Sequence, residues 1–526
     1  MGQSAGNAIG LPRPYWATFR RTCLTPASLA IALNLAVLAA LAAHFAGYLA
    51  YAQDAIRFPF ELDYGEGIVW QQAVLMGGER MYGDISQFPH IVFHYPPLYH
   101  LAARAAAMAN GDMLAAGRAL SVACTLATGA LVAAAAWTVI GESAGRAART
   151  TGAAVAGLTV FCYFPVVSWS PLMRVDMLAM ALTLLGVWLA LKAARRPVLL
   201  YAAVLAFVAA VYTKQSLIAA PLAVLAVYGF ADRRLAFRAF ALGLAVGLIA
   251  LAALTWTTGG GFLRHLLLYN LNRFSLAAAA TMAKDQLQQI VFLLLAMYGM
   301  AAGWRGMGPW TGLARRLRDP TAAEPARAMA ILTVWFALAT AMLITLGKSG
   351  ATLNYLIEWM CIWSIPIGLL VARTLDSFVK RTEESPPLFA FLVPAVLCAQ
   401  IAMMPASHDY GTRIPERTRA LAALEADIRA APGPVLSDDM VLLMRAGKPV
   451  PWEPAIFAEL ASTGRWDERA ILDRIESRAF AFVVTQGTRG EKIHDARYTL
   501  AVEHAIHTAY PRTERRADRI VHLPPR

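Results

Sequence analysis

The chain has 526 residues, 58% of them hydrophobic and 15% charged, with a formal net charge of +13. With a mean hydropathy of +0.50, that composition excludes a wholly soluble core. Nucleic-acid binding would need the arginines on one soluble face with aromatics between them. Instead they sit in short clusters between apolar runs of roughly 18 to 25 residues, each enough to cross a ~30 Å hydrocarbon layer.

The sequence predicts an α-helical polytopic membrane protein of about eleven spans between Pro26 and Met404, followed by a small α/β domain. Basic residues mark alternate loops: Arg13, Arg20 and Arg21, Arg146 and Arg149, Arg195 and Arg196, Arg233, Arg234 and Arg238, Arg315, Arg316 and Arg318, then Lys380 and Arg381. Positive loops stay inside, so residues 1–27 form a cytoplasmic segment and the first span, about Ser28 to Tyr51, runs outward. That run is too long for a cleavable leader and should remain as an anchor.

The first outer loop, 53–112, is the most polar stretch of the membrane part. Ile68 to Met76 suits a short helix beside the membrane, and Pro96-Pro97 can open another running to about Met108. Spans at about Leu114–Ile140 and Ala153–Val167 bring the chain back out at SWSPLMRVD, which places Arg174 and Asp176 on the same side as Asp63. A fourth span, about Met177–Leu191, ends at Arg195-Arg196.

Two shorter apolar runs, Val198–Val211 and Leu217–Phe230, meet at Tyr212-Thr213-Lys214-Gln215. Neither crosses a bilayer comfortably, so the turn should lie below the outer surface in protein or a wet cavity. Spans at about Leu242–Thr258, Leu287–Trp304, Met329–Leu346, Tyr355–Val371 and Leu388–Met404 complete the membrane part, residues 28–404. From 405 to 526 the composition is that of a soluble extracytoplasmic α/β domain. Val435-Leu436-Ser437 and Phe480–Thr485 suit buried strands, and Trp466–Arg478 and Asp495–Tyr510 have helical period.

Carboxylates beside a membrane are costly and usually functional. Asp63 and Glu66, three residues apart, face one way if a helix begins at Tyr64. Such a pair can deprotonate a hydroxyl or hold a divalent cation or donor phosphate through one; Asp63 equally suits the N-cap of that helix. Asp176 suits either a second acidic site residue or a turn cap.

Lys214, Arg273, Lys348, Arg57 and Arg264 are basic residues on the outer side, against the positive-inside trend. They suit an anionic lipid phosphate or headgroup contacts. His90 and His94 have a metal-type spacing, but Ile91-Val92-Phe93 before a double proline argues against the helix it requires, and no metal site is assigned. The C-terminal histidines, His494, His504, His507 and His522, read as surface residues. Cys23, Cys124, Cys162, Cys361 and Cys398 have no metal-type pairing and read as buried small residues.

The order DYGEG (63–67), Gly77-Gly78 with Tyr82 and Asp84, YPPLY (95–99), Arg118, RVD (174–176), TKQ (213–215) and NY (354–355) resembles the GT-C superfamily. These are membrane glycosyltransferases using polyprenyl-phosphate sugars, among them protein O-mannosyltransferases and the lipid A aminoarabinose transferase. Each motif is short, and their order carries the likeness over the whole membrane part.

The resemblance implies a catalytic acid residue at Asp63 with Glu66 close behind, and a second at Asp176. It implies transfer, with inversion, from a polyprenyl-phosphate sugar to a glycan, lipid or protein acceptor at the outer face of a bacterial-type inner membrane. No cofactor is assigned, although Glu66 and Asp176 could hold a divalent cation. The aminoarabinose transferase pattern has a lysine before the first proline, where this chain has Tyr95; His94, Arg174 or Lys214 would then supply the phosphate contact. The competing function is a transporter or lipid flippase. Against it, the charges gather at loop mouths and no inverted repeat is present.

Overall fold

In the computed structural model, residues 26–270, 272–319, 323–380, 388–405 and 407–526 are described. The N-terminal cluster Arg13, Arg20 and Arg21, Cys23 and Arg381 lie outside them.

Helices occupy every expected apolar run. In order they are α1 (Pro26–Arg57), α2 (Tyr64–Leu75), α3 (Leu98–Asn110), α4 (Met113–Ile140), α5 (Arg146–Thr159), α6 (Phe164–Trp169), α7 (Asp176–Lys192), α8 (Leu199–Val211), α9 (Ala219–Ala231) and α10 (Arg233–Thr257). There follow α11 (Leu276–Asp285), α12 (Ile290–Arg305), α13 (Ala323–Met342), α14 (Ile357–Lys380) and α15 (Phe389–Ala402). Among the described residues six helices are long and apolar enough to cross a membrane, and the chain is a polytopic helical membrane protein. The run expected from Ala153 to Val167 is broken: α5 ends at Thr159, a 3-10 turn covers Val160–Cys162, and Pro165 opens α6.

Helix ends follow local chemistry. Asp112 caps α4 by accepting from the Ala115 N–H at 3.0 Å, the role expected of a short acidic side chain at that position. The helices then pack through small residues, because lipid tails supply no hydrophobic drive between them. A Cβ on Gly152 of α5 would stand 2.4 Å from the Gly368 carbonyl of α14, so only paired glycines permit this crossing. By contrast α10 is the outer wall, with 6% of its apolar window buried and Phe237, Ile249 and Trp256 exposed.

The α8–α9 junction is irregular from Tyr212 to Ile218, and Thr213 and Lys214 within it are buried. This agrees with the expected sunken turn.

The C-terminal part comprises α16 (Pro415–Ala430), β1 (Leu436–Ser437), α17 (Met440–Arg445), α18 (Pro454–Ser462), α19 (Arg469–Glu476), β2 (Val483–Gln486), α20 (Leu500–Ala509), β3 (Arg512–Arg516) and β4 (Arg519–Leu523). The sheet order is β1-β2-β4-β3, parallel between β1 and β2 and antiparallel elsewhere, with Val484 opposite Val521. Sequence reading anticipated β1 and β2 but not the closing hairpin, whose strand β3, RTERR, is largely exposed and lacks an apolar alternation. His494 and His522 are buried, correcting their reading as surface residues; His504 and His507 are exposed. His522 lies on the central strand β4, where its ring accompanies Thr485 at 2.9 Å.

The first outer loop shares the core of this domain. Phe58 and Phe60 pack with Leu424, Met440 and Val484, while Ile85 and Val92 pack with Trp452 and Phe457. The buried carboxyl of Glu61 accepts from Gln486 at 2.7 Å, and beside it Arg519 grips Asp439 at 2.6 Å. The domain is therefore fastened onto the loop that carries Asp63.

Candidate active site

Asp63 N-caps α2, accepting from the Gly65 N–H at 3.0 Å in a reciprocal capping box with Glu66. The expected capping role and the expected site role thus fall on one side chain. Arg174 lies 3.2 Å from Asp63 Oδ1. Its guanidinium occupies the face of Gly65, since a Cβ there would fall 1.0 Å from Arg174 NH1. The second glycine of DYGEG serves the domain contact: a Cβ on Gly67 would stand 2.5 Å from the Met440 Cβ of α17.

Glu66 is saturated. Its carboxylate receives Arg118 Nε and NH2 at 2.7 and 2.6 Å, the Leu62 N–H at 2.9 Å and the Met173 N–H at 2.9 Å. Arg118 spends its other N–H groups on the carbonyls of Ala55, Phe58 and Phe60, so all five of its donors are used. Burial raises the Glu66 pKa, but the Arg118 charge and these hydrogen bonds outweigh it, and the net shift is downward. Glu66 thereby ties the first outer loop to the Met173 backbone of the second.

Asp176, at the start of α7, is equally occupied. It receives Lys214 Nζ at 2.6 Å, Asn354 Nδ2 at 2.9 Å and Trp169 Nε1 at 2.7 Å. Lys214 also lies 4.9 Å from the centre of the Tyr355 ring. Of the three carboxylates only Asp63 keeps appreciable access, with 26% of its side chain exposed against 0% for Glu66 and 3% for Asp176. Burial raises the Asp63 pKa, and the neighbouring Arg174 offsets part of that rise.

Arg174 links the groups. It reaches Tyr95 Oη at 3.4 Å and lies 5.0 Å from the Trp169 ring centre. Its Nε is buried with no hydrogen-bond acceptor among the described residues. A buried donor left unpaired costs about 1–3 kcal/mol.

His94 lies on the same side. Gln72 Nε2 donates to the Val92 carbonyl at 2.7 Å and approaches His94 Nδ1 at 3.3 Å, while Gln72 Oε1 is engaged by His100. That order assigns the His94 proton to Nε2, 3.3 Å from Glu453 Oε1. Burial, reinforced by the Arg174 charge, lowers the His94 pKa to about 3. Burial raises the Glu453 pKa well above the usual value against the opposing pull of Arg174. Both shifts favour a neutral hydrogen bond over an ion pair.

Glu453, immediately before Pro454 at the start of α18, was missed by sequence reading. PWEP in a soluble domain carries no signal that the glutamate turns back toward the membrane part.

Arg273 and Lys348 bind elsewhere. Arg273 holds Glu459 at 3.0 Å, and Lys348 Nζ donates to the Asn270 carbonyl at 3.4 Å. Asn270 in turn donates to the His94 carbonyl at 3.0 Å. The two outer segments bearing these cations, bridged at Phe274 and Lys348, therefore buttress His94 without bringing either to Asp63 or Asp176. His90 is turned into the domain core, where Nδ1 meets the Ile85 carbonyl at 2.9 Å. Among the described residues no three His, Cys, Asp or Glu side chains form a metal-ion set.

No protein-family profile matches the chain, and no curated protein does. Among solved structures it is similar to ArnT from Cupriavidus metallidurans in the apo state, with TM-score 0.52 and 13% identity over 91% of this chain and 98% of that chain. The same protein bound to undecaprenyl phosphate gives TM-score 0.51 over the same shares. The chain has the GT-C fold. The archaeal oligosaccharyltransferase AglB from Archaeoglobus fulgidus, in complex with an inhibitory peptide and a dolichol-phosphate, aligns at TM-score 0.48 and 11% identity over 84% of this chain and 69% of that chain. Within this GT-C fold, the two acidic turns meet around Arg174.

Proposed function

We propose that the protein is a membrane glycosyltransferase that moves a sugar from a polyprenyl-phosphate donor to a hydroxyl or amine acceptor on the extracytoplasmic face, with inversion. The observation that carries this reading is the partly exposed Asp63 held 3.2 Å from Arg174, whose Nε lacks an acceptor among the described residues, at the mouth of a GT-C bundle. Residues 28–404 form the catalytic part, and 405–526 cover it from outside. The basic residues of the opposite end, Arg149, Arg195, Arg196 and Arg316, support that orientation.

In the transfer step the acceptor O–H attacks the anomeric carbon as the bond from that carbon to the phosphate oxygen breaks. The electron pair leaves on the phosphate. Arg174 and Lys214 are placed to stabilise that charge, because each keeps N–H groups beyond those spent on its carboxylate partner. The acceptor proton passes to Asp63, the accessible member of the three site carboxylates, whose raised pKa suits a base. Glu66 and Asp176 position these groups: Glu66 joins the two loops through Arg118 and Met173 N, and Asp176 aims Lys214. His94, held neutral by burial and the Arg174 charge, and Tyr95 face the same phosphate region.

The donor's isoprenoid tail explains the membrane setting, since each buried methylene contributes ~0.8 kcal/mol. Asp63→Asn, assayed for sugar transfer from polyprenyl-phosphate sugars, tests the reading. Transfer should fall by about 10²–10⁴-fold with unchanged thermal stability. Full transfer by the variant removes the base assignment, and transport without transfer supports the flippase reading.

A further inference from the structure

At the end of the bundle opposite Asp63 the helices enclose a cavity of about 890 Å³. Asp176 and Lys192 mark the two ends of α7, which at 1.5 Å per residue separates the cavity from the acidic site by about 24 Å. Six cations line it: Arg149, Lys192, Arg195, Arg196, Arg316 and Arg373, against two carboxylates, Glu142 and Glu324.

Both carboxylates are claimed by one residue, Arg195, which lies 3.0 Å from Glu142 and also contacts Glu324. Among the described residues no carboxylate lies within ion-pair distance of the other five cations. Three of those are oriented by uncharged partners. Arg149 Nε donates to the Trp137 carbonyl at 2.9 Å, Arg316 NH2 to the Pro309 carbonyl at 2.7 Å, and Arg373 to the carbonyls of Ala302 and Gly303. Arg316 Nε is buried with no acceptor among the described residues. The guanidinium groups are thus fixed in place by carbonyls, with no carboxylate paired directly to them among the described residues.

A second pocket, about 510 Å³, adjoins the first along the same helices. On α14, Ile362 and Pro366 line it and Leu369 and Arg373 line the basic cavity, a spacing of i, i+4, i+7, i+11 that defines one helix face. On α12, Met300 and Trp304 line the apolar pocket one turn from Gly303 and Met307 of the basic one. Phe336 and Trp363 complete an apolar wall. A concentrated positive charge continued by an apolar slot matches a molecule with a phosphate at one end and an acyl chain at the other.

We infer that this end of the protein is a binding site for an anionic phospholipid, its phosphate among Arg149, Lys192, Arg196, Arg316 and Arg373 and one chain in the Met300–Trp363 pocket. The site is independent of the proposed sugar transfer. It would set the depth and tilt of the bundle by fixing α7, α12 and α14 to one leaflet.

The test is native mass spectrometry of the delipidated full-length protein in neutral detergent, with phosphatidylglycerol and phosphatidylcholine of matched chains. The wild type should retain phosphatidylglycerol and not phosphatidylcholine. Arg196→Ala with Arg316→Ala should weaken retention by roughly 25-fold, at about five-fold per cation near the surface. Equal retention of the two lipids in the wild type overturns the inference, and this comparison stands even if the double variant fails to fold. Undiminished retention by a folded double variant overturns it too. A third arm measures thermal stabilisation by inorganic phosphate. A shift equal to that from phosphatidylglycerol would assign the cavity to a soluble phosphate and refute the lipid, whereas a smaller one supports it.

Discussion

Gly65→Ala separates the chemistry of the site from the stability of the fold. Gly65 lies in the first turn of α2 and is not among the residues with positive φ, so its backbone accepts alanine. Alanine is favoured over glycine by up to ~1 kcal/mol in a helix, which offsets part of the cost of displacing Arg174 from Asp63. The added Cβ would nevertheless fall 1.0 Å from Arg174 NH1. The guanidinium is the far end of a flexible side chain and would retreat by more than about 2 Å to restore a van der Waals contact. That movement breaks its 3.2 Å contact with Asp63.

Loss of one positioned donor to developing charge costs about 10²–10³ in kcat. The acid limb of the pH–rate profile should also move to higher pH, because Arg174 holds the Asp63 pKa down against burial. The assay is kcat and KM for polyprenyl-phosphate sugar turnover alongside thermal unfolding in detergent. Arg174→Ala should lower kcat similarly, and the double variant little further, since both changes remove one interaction. Activity within two-fold of wild type and an unmoved acid limb would refute the argument, as would a loss of activity explained by a fall in Tm.

Glu66→Gln leaves the fully buried Arg118 guanidinium without its counter-charge, which typically costs 3–5 kcal/mol; thermal unfolding should show this loss, and an unchanged Tm with abolished transfer would move Glu66 from positioning into the chemistry. Acid should destabilise the protein between pH 6.5 and 4.5. Burial depresses the folded pKa of His94 to about 3 and of His100, His265 and His522 to about 4, so their stabilisation is complete above 6.5 and is lost as pH falls. Glu61, Asp63 and Glu453 have raised folded pKa values and act in the opposite sense, their contribution being lost as pH rises above about 4.5. His90 and His408 are depressed in the same sense, so the histidines outnumber the three carboxyls and unfolding takes up protons in this window. A Tm at pH 5 equal to or above that at pH 7 contradicts this balance.

Local chemistry by itself determined the helices of the membrane part, because a run of apolar residues has one way to satisfy its backbone in lipid. It also determined the break at Lys214, where neither flanking run is long enough, and the N-cap at Asp63. The strands around Leu436 and Val484 were legible as short apolar segments, whereas β3 and β4 were not, being held by pairing to β2 more than by their own pattern. Which carboxylate stays accessible was decided by tertiary structure alone. Asp63, Glu66 and Asp176 look alike as acidic residues beside apolar runs, and only the arrival of Arg118 and Met173 at Glu66, and of Lys214, Asn354 and Trp169 at Asp176, leaves Asp63 open. Glu453 enters the same neighbourhood from 390 residues further along the chain, through a domain contact that Gly67 makes close enough. Burial and charge pairing depend on what the rest of the chain brings to a residue, and neighbours along the sequence do not specify that.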